Sequence, residues 1–285
     1  MNAPHPPQPP HRPLLTNAAR PATFNVASID ETGATGETPI AGEHALTLFV
    51  DKEEILTLMT LGAAPEALAL GYLRNQRLLD SIDDVLAVQV DWEVDAVVVK
   101  TRHGIRDLAA KTSKRTKTSG CGQGTVFGDL MADIDNVKLP GGVRLSQATL
   151  YDLLNKVRLH ETIYKQAGAV HGCALASNGD GQSDILYFVE DVGRHNAVDA
   201  IAGLMWLDRV DGGDKIFYTT GRLTSEMVIK AAQMGIPFLV SRSGLTQMGY
   251  DIATKVGITM IGRAANKRYL LFTGAERFDR GEKNA

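Results

Sequence analysis

KIFYTTGRLTSEMVIKAAQMGIPFLVSRSGLTQMGYDIATKVGITMIG, residues 215–262, decides the fold. Three short apolar runs, KIFYTT, IPFLVS and ITMIG, are separated by SEMVIKAAQMG and TQMGYDIATKVG, whose apolar residues recur at helical spacing. Strand alternating with helix predicts an α/β fold, a mainly parallel sheet covered by helices. Upstream, AVHGCALAS, ILYFVED and NAVDAIAGLMWL continue the rhythm. Residues 145–166 read as a helix with Leu150, Leu153, Leu154 and Val157 on one face and Gly168 as its stop. This α/β portion spans 141–278, and 279–285 reads as a tail.

In front of it, 43–140 reads as a smaller N-terminal α+β portion. HALTLFVD alternates like a strand, EILTLMTLG is an apolar run, and PEALALGYLRNQRLL is a helix opened by Pro65. DVLAVQVDWEVDAVVVKTR supplies two further strands. KTSKRTKTSGCGQGTVFG, basic and punctuated by glycine, has no apolar period and is expected to form a mobile loop with Cys121 near its middle. Residues 1–42 mix Pro, Gly, Thr and Ala without apolar period and read as a disordered Pro-rich tail.

Composition narrows the function classes. With 285 residues, 44% of them hydrophobic, the chain can bury a real core. A net charge of −3 gives no whole-molecule reason to expect nucleic acid or a membrane as partner, so any anion site must be local. No stretch has the apolar length of a spanning helix, and MNAPHPPQPPHRPLL lacks a secretory apolar run, which points to the cytoplasm. Two cysteines, Cys121 and Cys173, are too few for a disulfide framework and fit a reducing compartment.

In open α/β sheets, ligands bind beyond the carboxyl ends of the strands. Those ends here are VEDVGRHN, TTGRLTSE, SRSGLT and GRAANKR, all carrying Arg and Gly, a composition that suits phosphates or a carboxylate. Each segment also has a plainer reading. EDVGRHNAVD could be a charged helix start with Asn196 as its cap and Arg194 paired to an acid, and GRAANKR a solvated hairpin. Cys121 lies between two glycines, downstream of Lys111, Lys114, Arg115 and Lys117, cations that favour the reactive thiolate. The plainer alternative is a solvated basic loop with an incidental thiol. Cys173, in AVHGCALA, reads as a small buried hydrophobe, and His171 beside it falls short of a zinc ligand set, so no metal is expected.

Taken together, TSGCGQG, VHGCAL, EDVGRHNAVD, TGRLTSEMVIKAA, GIPFLVSRSGLT and ITMIGRAANKR resemble the FdhD/NarQ family of formate dehydrogenase accessory sulfurtransferases, from about Ala45 to Phe278. The resemblance implies a cytidine-deaminase-like α/β fold and a homodimer. It also implies that sulfur is taken from a cysteine desulfurase and delivered to the bis-molybdopterin guanine dinucleotide of formate dehydrogenase. The family's persulfide cysteine matches Cys121. Its cofactor-binding stretch matches Arg263, Ala264, Ala265, Asn266, Lys267 and Arg268, and its central blocks add His195 and Arg222 as ligand contacts. Where the family loop commonly reads CxxC, Gly124 stands at the second position here, so an internal disulfide in this loop is excluded and release of sulfur needs an external thiol or the acceptor.

Two functions follow, a persulfide-carrying sulfurtransferase or a non-catalytic chaperone that binds and inserts the molybdenum cofactor. A zinc deaminase does not fit, because VHGC supplies no Glu and the chain has no P-C-x-x-C.

Overall fold

A computed structural model describes residues 11–105, 134, 137–160 and 162–281. Its N-terminal half builds on the five-stranded sheet β1-β6-β7-β4-β5. The strands are β1 (Leu14–Leu15), β4 (His44–Val50), β5 (Glu53–Thr60), β6 (Val85–Asp91) and β7 (Ala96–Thr101), and β2 (Thr23–Ile29) and β3 (Thr35–Ala41) form a separate hairpin. After β5 comes helix α1 (Pro65–Asn75), with Pro65 in its first turn as expected where an N–H has no helical partner.

The C-terminal half is a six-stranded sheet ordered β10-β9-β11-β12-β13-β14. Its strands are β9 (His171–Ala176), β10 (Ile185–Asp191), β11 (Ile216–Thr219), β12 (Phe238–Ser241), β13 (Thr259–Ala265) and β14 (Arg268–Thr273). Helices α2 (Gln147–Leu159), α3 (Ile163–Ala167), α4 (Arg194–Leu207), α5 (Ser225–Gln233) and α6 (Gln247–Val256) surround it, and β8 (Leu145–Ser146) pairs with β15 (Phe278–Asp279).

Three expectations change. The sheet is mixed rather than mainly parallel: only β11–β12 and β12–β13 run parallel, across crossover helices α5 and α6. The connections 177–184 and 266–267 are too short for a crossover, so β9–β10 and β13–β14 are antiparallel, and β11 meets β9 antiparallel as well. The disordered tail does not hold for residues 11–42. Leu14 and Leu15 pair with Ala87 and Val88, and the Trp92 indole donates to Ala18 O at 2.7 Å. Nε2 of His11 lies 2.6 Å from Val85 O, and Arg12 pairs with Asp208. Long-range hydrogen bonds of this kind hold a Pro-rich segment that could not order itself by apolar burial. Finally, the helix expected over 145–166 is interrupted: α2 ends at Leu159, and Thr162 caps α3 by accepting from Lys165 N at 3.1 Å. Gly168 closes α3 at φ 65°.

Residues alternate across the six-stranded sheet with period two. Ala174, Tyr218 and Val240 face Leu150, Leu153 and Leu154 of α2, whereas Cys173, Phe217 and Leu239 share the main core with α4, α5 and α1. Helices α1 and α4 form the joint between the halves, and their backbones touch. A Cβ at Gly71 would sit 1.6 Å from Asp199 O, and one at Gly203 would sit 1.9 Å from Ala67 O. Buried polar bonds cross the same joint: Asn75 Nδ2 to Asp199 Oδ1 at 2.7 Å, Thr60 Oγ1 to Asp191 Oδ2 at 2.5 Å, and Asn196 Nδ2 to Met59 O at 2.7 Å. Gly71→Ala is therefore expected to lower stability by about 3 kcal/mol or more, since a backbone carbonyl cannot step aside. An unchanged thermal midpoint would contradict this packing.

Candidate functional site

Strand directions bring five chain segments to one edge of the six-stranded sheet. Parallel β11, β12 and β13 end there at Thr219, Ser241 and Ala265. Antiparallel β9 begins there at His171, and β10 ends there, with Asp191 opposite His171. A cavity of about 510 Å3 opens at this edge, within the ~300–1,000 Å3 typical of small-molecule sites. His171, Thr220 and Arg242 line it from the strand ends, Ala264, Ala265 and Asn266 from the exit of β13, and Phe188 and Glu190 from β10.

The wall is built by backbone and side chain together. Thr220 Oγ1 accepts from Gly172 N at 3.0 Å while Thr220 N donates to Gly172 O at 2.9 Å, locking the β11 exit to the start of β9. A side chain at 172 would crowd Phe188, whose Cζ lies 3.1 Å from the Cβ position. Glu190 accepts from Ile163 N at 2.5 Å and Tyr164 N at 3.2 Å, tying α3 to the mouth as an anionic cap on open helix N–H groups. The Tyr164 ring then lies 5.6 Å from the Arg242 guanidinium, a cation–π distance.

Electrostatically the edge favours an anion. Burial, followed by the charges of Arg194, His195 and Arg222, holds His171 below its ordinary 6.5, so its imidazole is neutral at pH 7 and can donate from one ring nitrogen. Burial pushes the Cys173 thiol up to about 12, and its Sγ lies 3.3 Å from Thr219 Oγ1 inside the core. Cys173 is thus an inert structural thiol, as its apolar surroundings in the sequence suggest.

The sequence-derived site residues fall into separate places. Cys121 lies outside the described residues. Ala264, Ala265 and Asn266 line the cavity, but Arg263, Lys267 and Arg268 face a shallower depression with Tyr151 and Tyr269. The division coincides with a break in register within β13, where Arg263 adopts φ 51°, and with the turn that follows, where Asn266 adopts φ 54°. His195 is buried with Nε2 2.9 Å from Glu226 Oε2, and Arg222 is exposed; neither lines the cavity. Asn196 does not cap α4, because Gly193 holds that position and the Asn196 amide instead bonds Asp191 at 2.7 Å. Sequence reasoning placed Glu190, Thr220 and Arg242 within the strand-end segments VEDVGRHN, TTGRLTSE and SRSGLT without giving them individual site roles, and it did not select His171. Thr220 and Arg242 each directly follow an apolar strand, the signal that put their segments at the strand ends, whereas His171 opens its strand and carries no such signal.

Comparison with known proteins fits this architecture. The FdhD/NarQ family model matches residues 41–279. Relatives named sulfur carrier protein FdhD include those of Wolinella succinogenes, 27% identical over 85% of this chain and 83% of its own, and Sulfurisphaera tokodaii, 30% identical over 87% of this chain and 94% of its own. A crystal structure of a protein described as a formate dehydrogenase accessory protein from Desulfotalea psychrophila shares the fold at TM-score 0.70 and 24% identity, covering 90% of this chain and 98% of that one. Because the match runs from the last residue of β3 to the last of β15, across both sheets and every segment of the cavity, this chain belongs to the FdhD/NarQ family.

Proposed function

We propose that this protein is a sulfur carrier that accepts sulfane sulfur from a cysteine desulfurase on Cys121 and passes it to the bis-molybdopterin guanine dinucleotide of a formate dehydrogenase. Its relatives' name, sulfur carrier protein FdhD, supports the reading. The structural observation that carries it is the cavity at the strand ends, where Arg242, Thr220, neutral His171 and Asn266 offer donors to a nucleotide-bearing cofactor.

In the loading step, the Cys121 thiolate attacks the terminal sulfur of the donor's persulfide. The donor S–S bond breaks, the S–S bond on Cys121 forms, and the donor cysteine leaves as thiolate, with no net oxidation. Upstream Lys111, Lys114, Arg115 and Lys117 favour the thiolate and the perthiolate it becomes. Release as sulfide takes two electrons. An external thiol supplies them by attacking the Cys121 sulfur, leaving a mixed disulfide, since Gly124 offers no thiol within the loop.

Cys121→Ala is expected to abolish maturation of formate dehydrogenase in a strain lacking the native gene, whereas Cys173→Ala leaves it near normal. Equal loss from both would sink the single-carrier account. Arg242→Ala is expected to weaken guanosine diphosphate binding by about tenfold, the scale of one charge-assisted phosphate contact. Unchanged affinity in a calorimetric titration would remove Arg242 from the site.

A further inference from the structure

Arg194, the first residue of α4, keeps only 9% of its surface exposed. Among the described residues it forms no ion pair, and its solvent-inaccessible Nε has no hydrogen-bond partner. The acid pairing expected for it from the sequence is therefore absent among those residues, and nearby carboxylates are committed elsewhere. Asp191 accepts from Thr60, Leu61, Gly193 and Asn196, and Asp199 accepts from Asn75 and Lys230. Glu226 pairs with His195, and Glu190 caps α3. A guanidinium cannot shed its proton to escape burial, so an uncompensated one is disfavoured unless an anion joins it.

The surroundings point the same way. Gly193, the residue before α4, offers no side-chain cap to this fourteen-residue helix, and Asp191 at the same end accepts from Gly193 N and the Asn196 side chain rather than from the first helical N–H groups. The first side chain of a helix leans back over that end. Gly221, after β11, lies against the Arg194 stem, since a Cβ there would sit 2.9 Å from Arg194 Cδ. Arg194 and Arg222 both act on His171, which lines the neighbouring cavity.

We propose that Arg194 and the N-terminus of α4 form an anion subsite for a phosphate-type oxyanion, adjoining the cavity across His171 and receiving the diphosphate of a guanine nucleotide whose nucleoside occupies the cavity. The nucleotide's identity rests on the proposed function; the anion subsite does not. Titration of the full chain with inorganic pyrophosphate, guanosine and guanosine diphosphate tests both. Arg194→Gln is expected to weaken pyrophosphate and guanosine diphosphate about tenfold or more while leaving guanosine unchanged. Ligand-free, this variant is expected to melt at or above the wild-type temperature, because it loses an unpaired buried charge, and pyrophosphate should raise the midpoint of the wild type only. Gly221→Ala, which displaces the guanidinium without removing it, should weaken pyrophosphate in the same direction and carries the test if Arg194→Gln fails to fold. Pyrophosphate binding that depends on Arg194 without any guanosine binding would keep the subsite and overturn the nucleotide reading. Wild-type pyrophosphate affinity retained in both variants would overturn the subsite.

Discussion

Backbone contact between α1 and α4, at Gly71 and Gly203, is the constraint on which the rest of the molecule depends. Two helices normally stay about 8–10 Å apart because their side chains intervene. Glycine at both crossing points removes that spacer and lets the five-stranded and six-stranded sheets share one core. Asp199 then sits close enough to bond Asn75 from one half while pairing with Lys230 of α5 at 2.7 Å. Breaking such a buried pair by removing one partner costs about 3–5 kcal/mol, because the remaining charge is left in a dry interior.

This joint also explains why the segment EDVGRHNAVD is so polar. Asp191, Asn196 and Asp199 serve the assembly of the two halves, Glu190 fastens α3 at the cavity mouth, and His195 reaches α5 through Glu226. Arg194 is the residue of the segment whose charge the described fold does not answer. Structure and binding are thus interleaved residue by residue at the exit of β10, with the strand edge held rigid by the groups that border it.

Much of the fold is legible in the sequence because helix and strand periods differ so plainly between residues 215 and 262. Strand direction is less legible, since β9 and β10 are apolar whichever way they pair and only the short 177–184 connection makes them a hairpin. Residues 11–42 mislead because 11–18 are held by hydrogen bonds to Val85, Val88 and Trp92, partners far away in the chain, while 23–41 pair with one another in a mostly exposed hairpin, and neither leaves an apolar period. At the site, the resemblance drew attention to the run Arg263 to Arg268, yet the register break at Arg263 and the turn at Asn266 divide it between two surfaces. His171 is hidden in an apolar stretch, and its place at the edge follows only from the antiparallel pairing of β9 with β11.

The central claim is that Cys121 carries sulfur, and the most direct measurement is the intact mass of the protein after incubation with a cysteine desulfurase and cysteine. The account predicts a gain of one sulfur atom that is reversed by a thiol reductant, persists in Cys173→Ala and is absent in Cys121→Ala. No gain in the wild-type protein, or a gain that survives Cys121→Ala, would contradict it.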